Sequence, residues 1–268
     1  MKKLLKEKVT LVTGSGRGWG RSIARAFAAQ GAKVIVTSEI KEEVNESVET
    51  IKAENGFVVG KVVDLTKDGQ IHGLVDDILN KFGNLDVLVN NAARRSLKTF
   101  KEMTFQDFEI TQQVNIRSAV LMCKLLLPQM IHQGGASIIN VSSNAGLRGR
   151  HKEVDYSTSK FAVEGFTQAL AVELKEHNIA VNAISPGGMD AEVFIKPTDM
   201  TQQAYESLNE IEKSKWTDSL IMTEAFVYLA MQRGEGITGE RILALALSER
   251  IRKEGWGLKF VPMDRIVA

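Results

Sequence analysis

The sequence predicts an α/β fold, a doubly wound parallel sheet in three layers. Three observations carry that prediction. Short β-branched runs alternate with longer segments whose apolar residues fall at helical spacing. The runs are near-continuously apolar, so helices must cover both faces of the sheet they build. Regular strand–helix alternation in turn demands parallel pairing through helical crossovers.

Residues 9–13 read as a short buried strand, and 22–30 as a helix with Ile23, Ala26 and Phe27 on one side, stopped by Gly31. Residues 33–37 are β-branched and strand-like. Over 41–54, Val44, Val48 and Ile51 sit at helical spacing on a charged background, the pattern of a one-sided surface helix. The third strand is 57–63. A helix over 70–82 follows, carrying Ile71, Leu74, Ile78 and Phe82 and ended by Gly83. Residues 87–89 form a short strand, 105–131 a long helix and 136–141 another strand. The helix over 155–176 turns Phe161, Phe166, Leu170 and Leu174 inward, and 179–184 is a strand.

From Gly187 the pattern dissolves into polar, Met- and Thr-containing sequence, an irregular stretch of the kind that usually serves function. A helix resumes over 217–231 and a last strand over 241–245. Residues 248–268 form a charged C-terminal extension, helical at its start, with Trp256, Phe260 and Pro262 near its end. No linker or internal repeat interrupts the alternation, so residues 1–268 read as a single domain.

Composition removes several function classes. The 34 Lys+Arg balance 33 Asp+Glu to a net charge of +1, which gives no electrostatic footprint for nucleic acid or an anionic membrane. The lone Cys123 allows no internal disulfide and no Cys-rich zinc site. The four histidines have no metal-ligand spacing, so no metal is expected. The basic start is not followed by a signal-length apolar run, and no stretch reaches the ~18 uncharged apolar residues of a membrane span. The expectation is a soluble cytoplasmic protein.

Thr13-Gly14-Ser15-Gly16-Arg17-Gly18-Trp19-Gly20 lies between the first strand and the first helix. Glycines there permit a tight turn and let the backbone approach a pyrophosphate, while the helix N-terminus offers free N–H groups to the anion. That placement reads as nucleotide binding rather than a plain turn.

The spacing Thr-Gly-x-x-x-Gly-x-Gly resembles the short-chain dehydrogenase/reductase family in its single-domain, Rossmann-type branch. Later landmarks agree in family order: Asp64 after the third strand, Asn90-Asn91-Ala92-Ala93 after the fourth, Asn115 in the long helix, Ser143 after the fifth strand, Tyr156-Ser157-Thr158-Ser159-Lys160, and Pro186-Gly187 after the sixth. The resemblance implies an oxidoreductase that passes a hydride between NAD or NADP and a secondary alcohol or ketone.

The same resemblance implies the roles. Tyr156 would be the general acid/base, Ser143 rather than Ser142 would polarise the substrate oxygen, Lys160 would lower the tyrosine pKa and bind the nicotinamide ribose, and Asn115 would hold a relay water. Tyr156 and Lys160 are four apart on a helix, hence on one face. Lowering a phenol by about two units corresponds to roughly 2.7 kcal/mol. The implied cofactor contacts are Gly14, Ser15, Arg17, Gly18, Trp19, Gly20, Ser38, Glu39, Asp64, Leu65, Asn91, Ala92, Tyr156, Lys160, Pro186, Gly187 and Met189.

Cofactor choice is read after strand two, at Thr37-Ser38-Glu39. A carboxylate at Glu39 repels a 2′-phosphate and favours NAD, whereas Arg17 pulls toward NADP. The chain departs from the family at Trp19 for Ile or Leu, at Ala93 for Gly, at Ala191 for a Thr that contacts the nicotinamide, and in lacking Val-Asp-Gly-Gly after the last strand.

Arg94, Arg148 and Arg150 border the implied substrate side and would suit an anionic substrate, or else face solvent or a second subunit. Residues 187–216, with Val193, Phe194, Ile195 and Met200, would form a substrate lid or a subunit clamp. A homo-oligomer, tetramer or dimer, is implied. Two rival functions stay open: a lyase or epimerase on the same scaffold, and a non-catalytic dinucleotide-binding regulator.

Overall fold

Seven parallel strands make the main sheet of the computed structural model, which describes residues 3–186, 194–195, 216–217 and 219–260. The strands are β1 (Val9–Val12), β2 (Lys33–Ser38), β3 (Phe57–Val62), β4 (Val87–Asn90), β5 (Ala136–Val141) and β6 (Ile179–Ser185). A separate ladder pairs β7 (Phe194–Ile195) with β8 (Trp216–Thr217), and β9 (Arg241–Leu243) completes the main sheet. Its order is β3-β2-β1-β4-β5-β6-β9.

Helices α1 (Gly18–Ala29), α2 (Lys41–Ala53), α3 (Asp68–Phe82), α4 (Phe105–Gln112), α5 (Ser118–His132) and α6 (Val154–Leu174) connect the strands, with α7 (Thr223–Ala230) and α8 (Ala244–Glu254) at the end. A π-helical turn, Gln113–Arg117, joins α4 to α5. Two cores flank the sheet. Phe27, Ile51, Phe226, Leu247 and Ile251 pack on one face, and Leu74, Met122, Leu126 and Leu174 on the other. Strand β1 serves both by alternation, Val12 to the first and Val9 and Leu11 to the second. This is the three-layer, doubly wound architecture the alternation predicts.

The order in which strands are added reverses at β1 and β4, which lie side by side and parallel, and this opens a crevice at their carboxyl ends. A clasp fixes it: the Thr13 hydroxyl accepts from Asn91 N (3.0 Å) and Ala92 N (3.1 Å), and Asn91 Nδ2 donates to Thr13 O (2.8 Å).

Four expectations need correction. Helix α1 begins at Gly18, not at residue 22, because glycines of low helix propensity mask its first turn. Phe161 is 48% exposed, not inward. Helix α6 instead turns Val163, Glu164, Thr167, Ala171 and Leu174 inside, since β5 offers a polar partner, Asn140, whose Nδ2 donates to Thr167 Oγ1 (2.9 Å). The last strand ends at Leu243, and the Ala-Leu-Ala-Leu alternation that reads as strand winds into α8. Finally, the stretch Phe105–His132 is apolar and long enough to cross a bilayer, although it carries a core face of Met122, Cys123, Leu126 and Met130.

The start of the C-terminal extension packs on its own chain. Ser248 and Ile251 are buried, and Tyr228 Oη donates to Leu258 O (3.1 Å). Residues 261–268, and the expected lid apart from β7 and β8, lie outside the described residues.

Cys123 is buried against the sheet, and burial pushes its thiol up to about 12. The native protein is therefore expected to give no reaction with a disulfide reagent at pH 8, and one thiol per chain in denaturant. Prompt labelling of the native state would contradict this packing.

Candidate active site

The glycine-rich string turns sharply above β1. Gly14 has φ +62°, and a Cβ there would stand 2.7 Å from Ala92 Cα, so only glycine lets the loop close on the β4 turn. Above it opens a cavity of about 730 Å³ lined by Gly14, Arg17, Gly18, Trp19, Gly20, Ser38, Glu39, Asp64, Leu65, Asn91 and Ala92. A glycine cradle at a helix N-terminus, continuous with a groove of this size, fits a dinucleotide.

Most of the expected cofactor contacts thus share one wall. Ser15 does not line it. Its hydroxyl donates to Val12 O (2.6 Å) and accepts from Thr37 N (2.9 Å), locking β1 to β2. Asp64 accepts from Thr66 N (2.8 Å) and Oγ1 (2.7 Å). Burial raises its pKa, but these bonds and Lys67 outweigh it and hold the carboxyl below its usual range. The Trp19 ring meets Phe226 edge-on at 5.7 Å, so the bulky departure is absorbed by packing on α7. Gly187, Met189 and Ala191 lie outside the described residues, and Pro186 directly follows β6.

A second cluster forms where β5 ends. Ser143 follows that strand, close enough to Tyr156 for its side chain to act on the phenol hydroxyl. Lys160 lies one helical turn on, 2% exposed, its Nζ 5.4 Å from the Tyr156 ring centroid and donating to Val141 O (2.7 Å). Burial lowers Lys160 to about 8, with Glu164 opposing. Tyr156 is raised: burial dominates, Ser143, Arg95 and Arg150 pull it down, and Glu153 adds to the rise. The expected depression of this phenol is therefore not supplied by the protein alone.

Asn115 sits in the π-helical turn, a feature frequent at functional sites. Its amide is committed. Nδ2 donates to Arg94 O (2.8 Å) and Ser159 Oγ (2.9 Å), and Oδ1 accepts from Arg94 N (2.7 Å). It thereby ties the β4 turn to α6.

Behind this cluster lies a buried pair that the sequence reading missed. Arg241 of β9 forms an ion pair with Glu164 of α6, Ser142 Oγ also donates to Glu164, and Arg241 Nη2 donates to Ser143 O (3.0 Å). Ser142 is thus turned away from Tyr156 and used structurally. The partners are 77 residues apart, and no local pattern signals them.

Of the basic candidates for substrate, Arg94 lines the cavity, as does Arg95, which pairs with Glu153 at 2.8 Å. Arg148 and Arg150 are not among the lining residues.

The short chain dehydrogenase family model matches residues 8–202. An uncharacterized oxidoreductase of Thermotoga maritima is 40% identical over 69% of this chain and 73% of its own. The 3-oxoacyl-(acyl-carrier-protein) reductase FabG of Aquifex aeolicus is 33% identical over 89% of this chain and 96% of its own. The crystal structure of a metagenomic short-chain oxidoreductase in complex with NADP superposes with a TM-score of 0.76 at 26% identity, covering 90% of this chain and 97% of that one.

The Arg241–Glu164 pair is nearly dry, with side chains 18% and 10% exposed. Arg241→Met strands the Glu164 carboxylate and is expected to destabilise the fold by about 3 kcal/mol. Arg241→Met with Glu164→Met should recover only part of that loss in urea denaturation, because Glu164 also offsets the charge of the buried Lys160. A double variant no more stable than the single one would show that the pair is not what holds these elements.

Proposed function

The chain belongs to the short-chain dehydrogenase/reductase family and is an NAD(P)-dependent oxidoreductase, and on that premise we propose that it transfers a hydride between the nicotinamide and a secondary alcohol or its ketone, with Tyr156 as general acid/base. The observation that carries this reading is the convergence of Ser143 and Tyr156 beside a buried Lys160, at the carboxyl end of β5.

When bound, the nicotinamide gives or takes the hydride and, in its oxidised form, brings positive charge toward the phenol. The rest of the chemistry falls to the chain. In reduction, Ser143 donates to the carbonyl oxygen and polarises it, and Tyr156 delivers its hydroxyl proton to that oxygen as the alkoxide develops. In oxidation the proton returns to a phenolate. Lys160 holds the ribose and favours that phenolate electrostatically. With its amide spent on Arg94 and Ser159, Asn115 holds the relay water through its main chain.

Two finer readings go with this. The cofactor is NAD(H), because Glu39 stands at the cavity wall after β2, where a carboxylate accepts from ribose hydroxyls and repels a 2′-phosphate. The substrate carries an anionic group met by Arg94, which lines the cavity. Exposed Val120 and Ile131 on α5, with Phe161 and Val172 on α6, offer apolar surface for a homo-oligomer.

Calorimetric titration with NADH and NADPH separately, then a ketone panel followed by nicotinamide absorbance, tests the proposal. Wild type should bind NADH and turn it over with at least one ketone. Tyr156→Phe should lose about 10²–10⁴ in kcat while its NADH Kd stays within about threefold. Binding without Tyr156-dependent turnover would overturn the enzyme mechanism, and cofactor returned unchanged would mark an epimerase.

A further inference from the structure

The sequence points to Glu39 as the acid beside the adenosine ribose. The structure puts a second acid deeper in the same wall. Glu43, in the first turn of α2, lines the cavity together with Arg17, Ser38, Glu39 and Asp64. Its side chain is 20% exposed. One carboxylate oxygen meets Arg17 Nε at 3.1 Å, and the other accepts from Ser38 Oγ at 2.7 Å. Arg17 and Ser38 are the two groups in this corner suited to hold a phosphate. Both are turned onto Glu43.

The arrangement is built in, not a chance rotamer. A Cβ on Gly16 would stand 2.6 Å from Ser38 Cβ and 2.7 Å from Glu43 Cβ, so the loop meets α2 only because residue 16 is glycine. Ser47, one turn further along α2, donates to Ser15 O (2.8 Å) and Gly16 O (2.9 Å). Arg21 Nε donates to Gly16 O (3.0 Å), and its guanidinium pairs with Glu46. The phosphate loop is thus stitched to the helix that presents Glu43.

We propose that Glu43 is a specificity-determining residue: its carboxylate occupies Arg17 and Ser38 and faces the 2′ position of the adenosine ribose, where it accepts a hydroxyl and rejects a phosphate. The inference rests on the cofactor reading above and deepens it. A 2′-phosphate brings a charge of about −1.5 to −2 at pH 7. To be held there it must displace Glu43 from Arg17 and then remain beside two carboxylates. A ribose diol needs neither change, since hydroxyls donate to a carboxylate already in place.

The test is calorimetry of the full chain with NADH and NADPH on wild type, Glu43→Gln, Glu39→Gln and the double variant Glu43→Gln with Arg17→Gln, with thermal unfolding to confirm folding. The quantity read is the ratio of the NADPH Kd to the NADH Kd. Glu43→Gln is expected to lower that ratio about tenfold or more through tighter NADPH binding, one decade being about 1.4 kcal/mol. Removing Arg17 as well should cancel the gain. A ratio within about twofold of wild type, a loss shared equally by both cofactors, or an effect confined to Glu39→Gln would each overturn the role of Glu43. Glu43→Ala serves as the second variant if the glutamine protein does not fold. Wild type that prefers NADPH, yet still shifts on Glu43→Gln, removes the NAD preference and leaves Glu43 as discriminator. Wild type that binds neither dinucleotide sinks the cofactor reading and this inference with it.

Discussion

Burying one ammonium group organises the centre of this molecule. Lys160 is 2% exposed, and taking a cation out of water is costly unless oxygen atoms and opposite charge replace its hydration. The Val141 carbonyl supplies the first and Glu164, a turn along α6, supplies the second. But Glu164 is itself nearly buried and needs partners, which Ser142 and Arg241 provide. Arg241 then reaches on to the Ser143 carbonyl. A chain of compensation thus runs from β9 through α6 to the end of β5, and it sets where Ser143, Tyr156 and Lys160 stand relative to one another.

The same device recurs around the crevice. Arg17 pairs with Glu43 beside the phosphate loop, Arg95 with Glu153 near Tyr156, and Arg241 with Glu164 beneath Ser143. Each arginine belongs to a loop or strand, and each acid lies on or just before a helix. Helices and strand ends are separate pieces of chain, and a charge-assisted bond from guanidinium to carboxylate ties them together. The pairs differ in exposure. The arginine is 52% exposed in the first, 51% in the second and 18% in the third, so the first two are open to exchange with ligand charge and the third is structural.

Topology explains why these groups meet. The strand order reverses at the parallel neighbours β1 and β4, so the glycine-rich turn and the Asn91 turn face each other across the crevice, clasped by Thr13. Strand β5 lies next to β4, which brings Ser143 to the same edge, and α6 packs against β6 and delivers Tyr156 and Lys160 there. The π-helical turn at Asn115 anchors the remaining loop by binding Arg94 through both ends of its amide.

The features legible along the chain are those that depend on residues near each other in sequence. The strand–helix alternation, the glycine string between β1 and α1, and the one-turn spacing of Tyr156 and Lys160 are local properties, and each stands in the structure where the spacing put it. The remaining features depend on which distant surfaces touch. Phe161 faces outward because polar Asn140 claims the inner face of α6, Ser15 leaves the cavity wall because β1 and β2 need a lock, and Tyr156 is raised because burial outweighs the groups around it. Glu43 with Arg17, and Arg241 with Glu164, come together only once the sheet order is set. A charged side chain carries the same letters whether it meets water or a counter-ion, and only the folded geometry tells the two apart.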